Sequence, residues 1–271
     1  LGANFNTIDI PEEFLEEAVN WRDKMIEALA DTDEAIMDAY VSEKPVEVPL
    51  IVHAVREATI SLDLVPVLCG SALRNKGIQP LLDAIAMFLP GPADVPPIEG
   101  INPQTEERVK CAPEASAHLA ALIFKVAMIE GRRLSYVRIY SGRLKSGEDV
   151  YNPLREKKEK ISRILKMHAN KRERIDEAGP GAIVAVIGLK ESSTGETLCR
   201  VERPVLLEKM EFDEPVMSIA VEPKTHADQE KLDEVLEKYA AEDPTLQVKT
   251  DQDTGQKILS GMGELHLDII I

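Results

Sequence analysis

A proline-rich segment at residues 90–113 constrains the fold of this chain more than any other feature. It holds prolines at 90, 92, 96, 97, 103 and 113 and glycines at 91 and 100. Proline fixes φ and has no N–H donor, so this run resists both helix and central strand. The chain has 271 residues, which is enough for roughly two domains. We therefore predict an N-terminal domain over 1–95 and a linker over 96–113.

The first 95 residues have helical periodicity followed by a strand-to-helix motif. Pro11 and Asp33 are residue types that begin helices, and a third helix is predicted from Glu47. An apolar strand, Leu64–Cys69, then meets a tight turn, Gly70-Ser71-Ala72, and an amphipathic helix. Open α/β folds bind nucleotides at such turns, although a plain strand-to-helix turn explains the same residues. With so few strands, this region is typical of the C-terminal part of a larger α/β domain.

Beyond the proline-rich segment the pattern changes to short strands and turns. Between 114 and 208, alternating stretches such as Ser135–Tyr140 are separated by turns that contain glycine, which predicts a small closed β-barrel. From 209 to 271 the order is strand, helix, strand, strand, helix, which is most of a ferredoxin-like split βαβ unit without its final strand. The predicted fold class is multidomain, α/β plus β plus α+β.

The distribution of charge and the spacing of the cysteines limit the kinds of functional site that this chain can have. The net charge is −16, yet residues 131–175 hold 14 Lys and Arg against five Asp and Glu. Such a basic band suits either a docking face for phosphate or an ordinary solvated surface. Three distant cysteines without CxxC, and five histidines without HExxH, predict a reduced protein with no disulfide and no metal site. No run of 18 apolar residues predicts a membrane span.

The sequence holds no phosphate-binding loop. Gly142 and Gly147 have the glycine spacing of a P-loop, but Glu148-Asp149 follows them where the motif needs Lys and Ser or Thr. We therefore expect no catalytic residue for nucleotide hydrolysis in this chain. Because the chain begins without Met and stops inside an apolar run, we expect a fragment of a longer protein.

Three sets of segments resemble the elongation factor G family of bacterial translational GTPases, in the family's own order. Among them are the turn Gly70-Ser-Ala-Leu73 and the helix start Gly263-Glu-Leu-His266. The segments resemble, in turn, the end of the P-loop-type GTPase domain (69–85 and 88–98), the translation-factor β-barrel (138–147, 166–173 and 185–198) and the third domain (222–232, 241–245 and 260–270).

The resemblance implies three groups of site residues. The Ala72 backbone N–H would face the guanine oxygen, with Ser71 and Leu73 framing the base. Glu264 and His266 would lie at an interface between domains, near the switch regions. The barrel would dock on small-subunit ribosomal RNA through Arg143, Lys166, His168, Asn170, Lys171 and Arg172.

The resemblance also implies a biological setting with alternatives left open. The parent protein would be a cytoplasmic GTPase that uses GTP or GDP with Mg²⁺ and moves transfer RNA and messenger RNA on the ribosome, with no membrane partner. The fragment itself would bind no cofactor and be inactive. Factors for ribosome recycling and for tetracycline resistance share this architecture, and an RNA-binding adaptor without GTPase activity is a further alternative.

Overall fold

A computed structural model describes residues 8–169, 171–208, 210–223, 225, 228–252 and 254–271. The chain divides into two compact units, with the boundary between Val95 and Pro96. None of the helices in the described ranges has the length and apolar character that a membrane span requires.

The N-terminal unit is helical. Its elements are α1 (Glu12–Ala30), α2 (Glu34–Val41), α3 (Val48–Ile60), a 3₁₀ turn (Ala72–Arg74) and α4 (Ile78–Phe88). Asp33 caps α2 as predicted, because its side chain accepts a hydrogen bond of 3.0 Å from the Ile36 N–H. The buried core joins the first three helices through Leu29, Ile36, Ile51 and Ala54.

The predicted strand in this unit is wrong. The segment Leu64–Cys69 joins no β-ladder among the described residues, and Val65 and Val67 are more than 80% exposed. A strand needs a hydrogen-bonded neighbour, and the described residues supply none. Helix α1 leaves its apolar residues Phe14 and Trp21 largely exposed. The helix buries its C-terminal residues instead.

Part of the predicted linker forms a β-hairpin. Strands β1 (Ile98–Ile101) and β2 (Arg108–Cys111) pair in antiparallel fashion, and the prolines lie before β1, between the strands and after β2. Ile101 exchanges two backbone hydrogen bonds of 2.8 Å with Leu206. Gly100 is required beside that contact, since a Cβ there would lie 2.7 Å from the Leu206 carbonyl oxygen. The hairpin therefore belongs to the β-rich part of the chain.

The central region is one curved antiparallel sheet. Its strands are β3 (Ala120–Ile129), β4 (Arg132–Ser141), β6 (Asp149–Asn152), β7 (Lys157–Lys160), β8 (Arg163–His168), β9 (Lys171–Ile175), β11 (Ile183–Ile187) and β12 (Thr197–Cys199). The spatial order is β7-β6-β12-β3-β4-β11-β8-β9, and a separate pair is formed by β5 (Leu144–Lys145) and β10 (Glu177–Ala178). Ile123, Ile139, Ile164 and Leu198 meet in one core, so the sheet wraps around it as a barrel does.

The C-terminal region has the predicted order of elements. These are β13 (Met217–Val221), α5 (Gln229–Glu242), β14 (Gln247–Thr250), β15 (Lys257–Gly261) and α6 (Glu264–Ile270). The three strands form an antiparallel sheet in the order β13-β15-β14. Leu236 of α5 and Leu267 of α6 pack with Leu259 of the central strand, so both helices cover one face of the sheet.

Candidate functional site

The predicted guanine-binding turn is a closed loop with an open outer face. Ser71 and Lys76 exchange two backbone hydrogen bonds, of 2.9 and 3.0 Å, which close the loop. Two glycines make this possible. Gly77 has φ +75°, and a Cβ there would lie 2.9 Å from the Cys69 carbonyl oxygen, while a Cβ on Gly70 would lie 2.9 Å from the Lys76 carbonyl oxygen.

The loop presents backbone donors and small side chains to solvent. Ala72 is the first residue of the 3₁₀ turn, and the first N–H groups of a helical turn have no acceptor within it. Ala72 is exposed and Leu73 is 99% exposed. Ser71 and Leu73 flank Ala72 at this open face of the loop.

Strands β8 and β9 form the basic hairpin, residues 163–175, and divide the predicted RNA contacts between two faces. Lys166 pairs with Glu173, and His168 with Lys171. Opposed residues of an antiparallel pair share a face, and side chains alternate along each strand. Lys166, His168 and Lys171 therefore lie together, whereas Arg172 lies on the other face opposite Met167.

The first of these faces carries two exposed lysines, and the other face also carries an exposed cation, Arg174, opposite Leu165. Lys166, His168 and Lys171 are exposed, and within the described ranges no carboxylate lies within salt-bridge distance of either lysine. Arg172 pairs with Glu130 at 3.1 Å. Arg143 lies on a different segment and pairs with Glu177 at 2.6 Å. Asn170 falls outside the described residues.

The predicted interdomain residues differ in exposure. Glu264 is exposed in the first turn of α6. His266 is half-buried, with Nε2 3.1 Å from Asp243 Oδ2, and its Nδ1 accepts a 3.1 Å hydrogen bond from the Met262 N–H. A neutral imidazole with its proton on Nε2 satisfies both contacts. Burial raises the pKa of Asp243, but hydrogen bonds from Thr245 and the nearby His266 outweigh it and hold that pKa below its ordinary value.

A groove of about 460 Å³ lies beside His266, between the curved sheet and the C-terminal region. It is lined by Lys125 and Ala127 of β3 on one side and by Tyr239 and Ile269 on the other. The predicted interface residue His266 therefore faces the neighbouring sheet, while Glu264 faces solvent.

The sequence patterns did not predict a buried polar network in the sheet. Asn152 donates hydrogen bonds of 2.8 Å to Ser192 Oγ and 2.7 Å to Glu196. Arg155 pairs with the same carboxylate at 2.8 Å. Glu196 is only 7% exposed, and a buried carboxylate needs such partners. The run of polar residues around Ser192 was the available signal, but spacing alone does not show where a loop folds inward.

The described residues contain no cluster of His, Cys, Asp or Glu with the geometry of a metal site. The arrangement offers exposed basic side chains of the hairpin to an anionic partner.

Comparison with known proteins extends along the whole chain. Residues 212–271 match the family "Elongation Factor G, domain III", and residues 132–199 match "Elongation factor Tu domain 2". The chain is 53% identical over 270 residues to Elongation factor G 2 of Syntrophus aciditrophicus (strain SB), an alignment that covers all of this chain and 40% of that protein.

A solved structure has a similar fold. A crystal structure of a Thermus thermophilus protein superposes with a TM-score of 0.74 and 26% identity, covering 98% of this chain and 38% of the other. The chain thus spans about two fifths of the length of the proteins that it matches.

Proposed function

Because this chain belongs to the elongation factor G family, we propose that it is part of a ribosomal translocase GTPase, which moves transfer RNA and messenger RNA during protein synthesis. The observation that carries the proposal is the 53% identity, which continues across 270 residues. It spans both structural units and therefore extends well beyond the two matched family regions.

The N-terminal unit is, in this proposal, the end of the GTPase domain. Its segment Leu64–Cys69 exposes the apolar side chains of Val65 and Val67, and α4 exposes Leu82 and Ile85 by 59% and 45%. Apolar surface of this extent calls for a covering surface. The rest of a GTPase sheet and its helices would cover both.

The loop at 70–77 orients the guanine base. The Ala72 N–H donates to the guanine oxygen, while Ser71 and Leu73 hold the edges of the ring. When bound with Mg²⁺, GTP supplies the phosphoryl chemistry of the parent protein. This chain's residues recognise the base only, so we expect the isolated chain neither to hydrolyse GTP nor to bind it at micromolar concentration.

The basic hairpin docks on small-subunit ribosomal RNA. Lys166, His168 and Lys171 supply an exposed cationic face on an otherwise acidic chain, and phosphate groups are attracted to such a face. Arg143 and Arg172, whose charges are partly neutralised by Glu177 and Glu130, contribute less. His266 positions the start of α6 against the barrel, and Glu264 reaches the switch regions of the GTPase domain. A protein with these contacts works in the cytoplasm, where ribosomes are.

Ribosome-stimulated GTP hydrolysis tests the proposal. The complete protein encoded by the source gene is expected to hydrolyse GTP many-fold faster with ribosomes than without, and the isolated chain to show no hydrolysis in either condition. A gene that encodes no GTPase motifs, with RNA binding by the chain intact, would replace the proposal with an RNA-binding adaptor. Ribosome-stimulated hydrolysis without translocation would favour a recycling or tetracycline-resistance factor.

A further inference from the structure

Strand β3 has an edge that its neighbour covers only in part. Strand β12 pairs with the beginning of β3, from Leu122↔Thr197 to Ala120↔Cys199. Beyond that point the N–H groups on the same edge need other acceptors, because unpaired backbone donors are costly when shielded from water. The Val126 N–H donates to Thr194 Oγ1 at 3.2 Å.

The next N–H donor on this edge has its acceptor in the C-terminal region. The Met128 N–H donates to the carboxylate of Glu242, which lies 114 residues away at the end of α5. The half-buried Glu242 thus fills a place that a paired strand would otherwise occupy. This hydrogen bond, which we name the β3 latch, connects the curved sheet with the C-terminal region.

The position of Glu242 on its helix supports a role in this contact. Glu242 is the last residue of α5 and Asp243 is its C-cap, and the last turn holds no basic residue. Negative charge is unfavourable at a helix C-terminus, because the helix dipole is already negative there. The carboxylates of Glu242 and Asp243 therefore destabilise the end of α5. Their contacts with residues outside the helix explain why both are accommodated there.

The second carboxylate continues the connection to α6. Asp243 contacts His266 Nε2 at 3.1 Å, and His266 Nδ1 accepts from the Met262 N–H. Close packing at Gly261, where a Cβ would lie 3.0 Å from His266 Nδ1, fixes the ring. The adjacent residues Glu242 and Asp243 at the end of α5 thus contact β3 and the start of α6, respectively.

We propose that Glu242 is a breakable latch that sets the orientation of the C-terminal region on the barrel. Around the groove beside it, Tyr239 and Ile269 are 41% and 76% exposed, whereas Val126 and Leu246 are buried. The hydrogen bond of Glu242 is charge-assisted and therefore stronger than a neutral one, so it contributes to this attachment. Loss of the latch leaves both regions folded and frees their relative orientation. This inference stands apart from the proposed activity, because it rests on the contacts of Glu242 alone.

Residue-resolved amide exchange of the 271-residue chain tests the latch. Glu242→Ala is expected to accelerate exchange of the Met128 N–H by about tenfold or more, while the Val126 N–H, held by Thr194, changes less than about twofold. Glu237→Ala is the matched control, because Glu237 lies on the same helix with an exposed side chain and is expected to change neither amide.

Orientation is measured in parallel by residual dipolar couplings of the barrel and the C-terminal sheet. Altered relative alignment in Glu242→Ala, with protection retained at Leu259, supports the latch. An unchanged Met128 exchange rate, or an equal effect of Glu237→Ala, overturns it. If Glu242→Ala loses protection at Leu259, Glu242→Gln decides, since its amide oxygen still accepts but carries no charge. Retained protection at both Met128 and Leu259 in that variant supports the latch, and Met128 exchange as fast as in Glu242→Ala contradicts it.

Discussion

The two faces of the basic hairpin lead to a sharp prediction for RNA binding. Lys166 and Lys171 share one exposed face, whereas Arg172 lies on the other and pairs with Glu130. Each phosphate contact releases about one condensed counterion. The double variant Lys166→Ala/Lys171→Ala should therefore make the negative slope of log K against log salt less steep by about two. Between about 50 and 200 mM salt, the unmodified chain should then lose about tenfold more affinity than the double variant.

The assay is fluorescence anisotropy of a labelled small-subunit ribosomal RNA fragment, titrated with the 271-residue chain across that salt range. Lys166→Arg/Lys171→Arg keeps both charges and should keep the slope. Arg172→Ala should change the slope by less than about half of one counterion, because its charge is already paired. The reasoning is refuted if the double alanine variant keeps the original slope, or if Arg172→Ala lowers it as much.

Three further predictions concern the stability of the curved sheet, each measured by chemical unfolding. Gly188→Ala should destabilise it by about 3 kcal/mol or more, because Gly188 has φ +125° and a Cβ would collide with the Lys160 carbonyl oxygen. Ser135→Ala should be neutral or stabilising, since the buried Ser135 hydroxyl has no partner among the described residues; a loss above about 1 kcal/mol would contradict this. Burial raises the pKa of Glu159, but hydrogen bonds from the 190–192 loop outweigh it and hold that pKa below its ordinary value. Its stabilisation should therefore be complete above about pH 4.3, the unfolded value, and be lost as pH falls through the lower folded pKa. Glu159→Gln should remove that part of the pH dependence, and an unchanged profile would contradict the assignment.

Sequence patterns predicted an element correctly where its own residues indicate its type and its start. Asp33 marked the start of α2, and the strand and helix order of the C-terminal region followed from its periodicity. Strand β9 was missed because Lys171–Ile175 lies at the sheet edge with four charged residues and no apolar alternation. The segment Leu64–Cys69 was predicted as a strand from composition, but pairing depends on a neighbour that local sequence does not show.

The candidate site was predictable only at the level of residue type. Basic residues at 166–172 were visible in the sequence, yet their division between two faces depends on the register of β8 and β9. The pairing of Arg143 with Glu177 joins residues 34 positions apart, and the contact of Glu242 with Met128 joins residues 114 apart. Contacts at such separations arise from tertiary packing, so spacing along the chain carries no signal for them.

Movement of messenger RNA on the ribosome tests the central claim most directly. Ribosomes carrying a peptidyl transfer RNA would be mixed with GTP and the complete protein encoded by the source gene, and the messenger position read by primer extension. The account predicts an advance of one codon that requires GTP, and a slower advance with Lys166→Ala/Lys171→Ala. GTP hydrolysis without any advance, with the ribosome splitting into subunits or releasing tetracycline instead, would contradict it.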